Sequence, residues 1–155
     1  MEFEMEFPLD NDGFLRRECP HCEQEFKWHH GKTDNAPIDF VYPDVYWCPR
    51  CGGSAAHDAW WTPEQLDYQE RFVAARAPVI VEDALRDAFR GTSGRGITFT
   101  PARPSGSGTP VPEPLSEPDD MDLVAPPCHP WEPVKVPSDA TAPFYCLVCG
   151  SAYSV

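Results

Sequence analysis

Apolar and polar side chains alternate at the start of the chain, where Phe3, Met5 and Phe7 are separated by glutamates. A two-residue period predicts a short strand with one apolar face, and Pro8, Asn11, Asp12 and Gly13 predict the turn that ends it. Over residues 14–57 short apolar runs separate two Cys-x-x-Cys pairs, so strands are expected at 26–28 and at either 40–42 or 45–47. The period then changes to a helical one. Thr62 can cap, Pro63 suits the first helical position and Gln65 stands three residues after the cap, which together predict a helix start. Leu66, Gln69, Phe72, Val73 and Arg76 follow at helical spacing. Pro78 removes a hydrogen bond and clashes with the preceding turn, predicting a kink or two helices. The second piece runs over 79–90, with Ile80, Ala84, Leu85, Ala88 and Phe89 on one face and Gly91 as its stop. Residues 91–127 lose both periods: Gly, Ser and Pro recur and an acidic run follows over 117–122, the composition of a flexible linker. Within it only 97–99 reads as a strand that could dock. Residues 128–155 repeat the first pattern in shorter form, with strands expected at 134–136 and 144–145.

Composition explains why such a chain needs a staple. Nineteen prolines and ten glycines against 41% hydrophobic residues leave little for one large core. Small modules of this kind are commonly held by a metal or disulfides. The start of the chain has no basic stretch followed by an apolar core, and no apolar run is long enough to span a membrane. A cytoplasmic location is therefore expected, where close thiol pairs read as metal ligands before disulfides. The net charge of −13 repels phosphate backbones, and residues 1–58 hold 12 acids against 5 bases. Nucleic acid and membrane are thus not the expected partners.

The chemistry lies in seven cysteines. Cys19, Cys22, Cys48 and Cys51 form a C-x2-C-x25-C-x2-C set, four soft donors for one ion. Cys128, Cys146 and Cys149 supply three more, with His129 as the nearest fourth donor. Neighbouring residues on a strand face opposite ways, so Cys128 and His129 could share an ion only at a turn, which Pro126, Pro127 and Pro130 make available. Glu132, His57, water or no fourth ligand at all are the alternatives for that position.

In these residues the chain resembles the zinc-ribbon family, in which two knuckles at hairpin turns clamp one structural zinc. Cys48-Pro-Arg-Cys51-Gly52 matches the family's CPxCG knuckle, whereas Glu23 stands where the first knuckle would have Gly. The resemblance covers 14–57 and 128–153 and implies two structural Zn2+ sites, although iron in a rubredoxin-like site uses the same first donor set. The expected fold is a small, metal-stabilised α+β protein. It would have an N-terminal ribbon (1–58), a helical segment packed on it (59–90), a linker (91–127) and a short C-terminal ribbon (128–155).

Catalytic readings are weaker. Cys-Pro-His-Cys also serves thiol oxidation in a thioredoxin relative, but that requires a long helix from the first Cys, and Gly31 follows too soon. The zinc deaminase pattern His-x-Glu before Pro-Cys-x-x-Cys is absent, since His129-Pro-Trp-Glu132 has the wrong spacing. His29 and His30 read as a polar hairpin tip, and Trp47, Trp60 and Trp61 as packing between ribbon and helix. No nucleophile–base pair or phosphate loop is visible, so an enzyme is not the expected class. The expected function is a zinc-binding adaptor for a protein partner, with a nucleic-acid-binding or transcription-related ribbon as the alternative.

Overall fold

Strand β1 (Phe14–Glu18) and β2 (Glu25–His29) form an antiparallel hairpin whose turn is the first Cys-x-x-Cys pair. The computed structural model describes residues 4–89 and 110–155. Phe3, the strand expected at 97–99, the stop at Gly91 and the Gly/Ser/Pro run up to 109 lie outside the described residues. β3 (Val45–Trp47) and β4 (Ser54–Ala56) form the second hairpin around the second pair. Helix α1 (Pro63–Phe89) follows, then β5 (Met121–Val124), β6 (Val134–Pro137), β7 (Phe144–Tyr145) and β8 (Ala152–Tyr153). The pair β7–β8 is a third hairpin around the third Cys pair.

The chain divides into two compact units, residues 6–65 with 115–155 and residues 1–5 with 66–114. In the first, an antiparallel sheet has the order β1-β2-β6-β5. Leu15, Phe26, Trp28, Val134 and Val136 are buried and share a cluster with Trp60, Cys19, Cys48 and Cys146. Trp60 is fully buried, its ring 5.7 Å from Phe26 and 6.1 Å from Trp28. The C-terminal strand β6 therefore belongs to the same sheet as the first hairpin. Residues 115–127, expected as linker, supply its edge strand β5.

The opposite face explains why that acidic stretch is ordered. Lys27 and Lys135 stand directly opposite each other across β2 and β6 and are almost completely buried. One oxygen of buried Asp10 lies 3.3 Å from the Lys27 ammonium and 2.9 Å from that of Lys135. Glu117 and Asp120 bind Lys27 at 2.9 and 3.1 Å and also bind Arg16, while Asp12 and Asp119 bind Lys135 at 2.6 and 2.9 Å. Composition alone makes 117–120 look solvated; paired with buried cations, the run becomes structural.

The predicted capping box is present. The Gln65 amide donates to Thr62 Oγ1 at 3.1 Å, and the Thr62 amide to Gln65 Oε1 at 3.1 Å. Gln65 Nε2 also donates to the Arg16 carbonyl at 2.9 Å. Pro78 does not divide the helix: α1 is continuous through it, because one lost hydrogen bond is tolerated within many turns of intact ladder. Residues 4–10 contain no strand; Phe7 instead packs its ring 5.0 Å from Trp61. Of the two alternatives at 40–47, the strand is Val45–Trp47. His29 closes the open end of the first hairpin opposite Phe14 rather than forming its tip. No helix among the described residues is long and apolar enough to cross a membrane.

Candidate metal centres

Each knuckle is a strand-turn-strand unit with the same hydrogen bonds. In the first, the Cys19 amide donates to the Gln24 carbonyl and the Glu23 amide to the Cys19 carbonyl. The second has Cys48 to Gly53 and Gly52 to Cys48, and the third has Cys146 to Ser151 and Gly150 to Cys146. The residue after the second cysteine takes a positive φ every time: 59° at Glu23, 75° at Gly52 and 74° at Gly150. Only the first knuckle places a side chain in that left-handed conformation. The turn aims amides at sulfur, with His21 N 3.3 Å from Cys19 Sγ, Arg50 N 3.3 Å from Cys48 Sγ and Gly53 N 3.4 Å from Cys51 Sγ.

These turns bring Cys19, Cys22, Cys48 and Cys51 together, and separately Cys128, His129, Cys146 and Cys149; within each set all donor atoms lie within 4.8 Å of one another. Sulfur–sulfur distances are 3.7 Å for Cys19–Cys51, 3.8 Å for Cys22–Cys48 and 3.5 Å for Cys128–Cys149. None is a disulfide. A tetrahedral ion with metal–sulfur bonds of ~2.3 Å separates its sulfurs by about 3.8 Å, so the spacing suits one. His129 Nδ1 lies 3.5 Å from Cys146 Sγ, close to the spacing expected of mixed nitrogen and sulfur ligands. A bend at Cys128 and a turn from the His129 carbonyl to the Glu132 amide, at 2.9 Å, let adjacent residues converge.

The alternative fourth donors are engaged elsewhere. Glu132 accepts a hydrogen bond from the Tyr42 hydroxyl, and His57 stacks on Tyr46 with ring centroids 4.0 Å apart. A third group, Asp10, Asp12 and Asp119, also has converging oxygens, but the Lys135 ammonium sits among them. Without metal, burial pushes the thiols of Cys48 and Cys146 up, the latter to about 12. Burial would also raise Cys51 and Cys149, yet hydrogen bonds to their sulfurs lower both. An ion in either set would have to displace thiol protons.

The second and third knuckles are joined back to back. The Trp47 amide donates to the Leu147 carbonyl at 2.9 Å, and the Tyr145 amide donates to the Pro49 carbonyl at 3.0 Å. Each donor precedes the first cysteine of its own knuckle, and each acceptor follows that of the other. The rings repeat the relation: a methyl on Gly52 would lie 3.0 Å from the Tyr145 ring, and one on Gly150 2.7 Å from that of Trp47. Trp47 thus packs knuckle against knuckle, while Trp60 fills the core and Trp61 lies against Phe7. This pairing is not legible in the sequence, because nothing in the spacing of the cysteines couples one donor set to the other.

No family model, curated protein or solved structure matches the chain. The resemblance to zinc ribbons therefore stands on the knuckles themselves: two donor clusters held by short antiparallel hairpins, compatible with metal binding.

Proposed function

We propose that the protein binds two structural zinc ions and serves as an interaction module for a protein partner. The observation that carries the metal reading is that each cluster offers four protein donors at tetrahedral spacing. A complete protein donor set leaves no position for water or substrate, the arrangement of a structural rather than a catalytic zinc. A set of three thiolates and one imidazole suits zinc better than rubredoxin-type iron, which uses four thiolates; the all-thiolate set admits either.

The adaptor reading is supported by α1, where Val73, Val79, Ile80, Val81 and Leu85 are exposed along a helix that ends in an acidic and apolar mixture. Nucleic acid is disfavoured because Arg16, Lys27 and Lys135 are already matched by carboxylates. Free thiols suit a reducing compartment.

Metal analysis of the purified chain should give two zinc ions, falling to one in Cys128→Ser and in His129→Ala. Chelation should abolish the cooperative melt; an unchanged melt after complete metal removal would sink the structural reading. Ile80→Asp with Leu85→Asp should end partner capture and leave metal content at two. Undiminished capture would remove α1 from the interaction surface.

A further inference from the structure

Beside the metal clusters lies a cavity of about 350 Å3, lined among others by Arg17, Lys32, Tyr42, Tyr46, His57 and Glu132. Its chemistry is unlike that of the rest of this acidic molecule. Arg17 is only 7% exposed, and its guanidinium carbon sits 4.4 Å from the ring centroids of both Trp28 and Trp61. Nε and Nη1 are buried with no hydrogen-bond partner, and Arg17 makes no ion pair among the described residues. Every other strongly buried cation in this unit, Lys27 and Lys135, is surrounded by carboxylates. Burial lowers Arg17 to about 10, so the group is still charged at neutral pH.

The two indoles supply cation–π attraction but no hydrogen-bond acceptor. A buried guanidinium with unused donors is costly to leave unmatched, but Nε and Nη1 have no surface open to the cavity, so an acid group there would meet Arg17 through its charge and through Nη2. Lys32, exposed at the rim with its ammonium 5.7 Å from the Tyr42 ring, adds a second positive charge. Glu132, bonded to Tyr42, supplies a negative one. The balance of two cations and one carboxylate favours a ligand with a single negative charge over a phosphate dianion. Tyr46 and His57, stacked 19° from parallel, both line the cavity with aromatic surface, and the volume suits a small molecule rather than a polymer.

We propose that this cavity binds a small aromatic carboxylate, its acid group toward Arg17 and Lys32 and its ring against the Tyr46–His57 pair. The proposal goes beyond the metal and adaptor reading and does not depend on which ion fills either cluster.

Titration of the full, metal-loaded chain with benzoate, followed by calorimetry and by the tryptophan fluorescence to which Trp28 and Trp61 contribute, tests it. Saturable binding is expected, weakened at least tenfold in Arg17→Met and severalfold in Lys32→Ala, and unchanged in Arg71→Ala on the exposed helix. Should Arg17→Met fail to fold, Lys32→Ala decides, since its side chain is exposed and its loss leaves the core intact. Inorganic phosphate is the contrasting probe. A flat benzoate titration, equal affinity in the Lys32 variant, or tighter binding of phosphate than of benzoate would each overturn the proposal.

Discussion

Asp10 shows how much one side chain can decide. Burial alone would raise its pKa, but hydrogen bonds from Lys135, the amides of Phe14 and Asp12, and Lys27 hold it down to about 2. A folded-state pKa below that of the unfolded chain stabilises the fold above the unfolded value, and the benefit is lost as pH falls through the folded one. Asp10 should therefore remain ionised at pH 4 wherever the fold persists. A carboxyl NMR titration with its inflection at or above the ordinary aspartate value would contradict this. Asp10→Asn keeps an oxygen for the Asp12 and Phe14 amides but removes the charge shared by two opposed lysines. Breaking a buried ion network in this way costs about 3 kcal/mol, measurable as a lower denaturant midpoint at neutral pH. A change below about 0.5 kcal/mol would show that the remaining carboxylates suffice.

The hairpin knuckle is the repeating element, and its Gly150 set against Gly31, which lies outside the knuckles after β2, separates two kinds of cost. Gly31 has a φ of 83° with open space around it, so Gly31→Ala should cost only the strain of a Cβ in the left-handed region, about 1 kcal/mol. Gly150 has a φ of 74° and the Trp47 ring against it, so Gly150→Ala must also move an aromatic ring or the knuckle. We expect a larger loss of melting temperature than for Gly31→Ala, together with weaker metal retention at the second cluster in chelator competition. Equal effects of the two substitutions would mean the knuckles are not in tight contact. These elements were legible because their causes are local: Cys-x-x-Cys with a following glycine specifies a turn, and Thr62 to Gln65 specifies a cap. The sheet order was not legible. β5 and β6 are recruited by Asp10, Lys27 and Lys135, whose partners are far along the chain, and residues 117–120 carry no period that distinguishes buried counter-ions from a solvated run. Arg17 was equally silent, since its importance lies in what it fails to bind.

At the scale of the molecule, the two donor sets are joined by backbone hydrogen bonds and a shared sheet. The amides of Trp47 and Tyr145 cross between the second and third knuckles, and β6 joins β2 in one sheet. Cys128→Ser should therefore also weaken metal binding at the intact all-thiolate cluster, because loss of one ion would release strands that brace the other. Chelator competition on that variant measures the effect; an unaltered first site would make the clusters independent. The long-range sheet also has a consequence for how the chain is made. Synthesis delivers β1 to β4 and all four thiols of the first cluster well before β6 exists. Until residues 134–137 emerge, β2 has an unpaired edge, a template on which another nascent chain could assemble. Lys27 lies on that edge, hydrated and charged while the edge is open. Lys27→Leu should therefore lose more protein to aggregation during cell-free synthesis than Lys135→Leu, which removes an equally buried charge that arrives with β6; equal losses would dismiss the idea. A lysine the finished sheet conceals thus serves, during assembly, as the guard of its own vacancy.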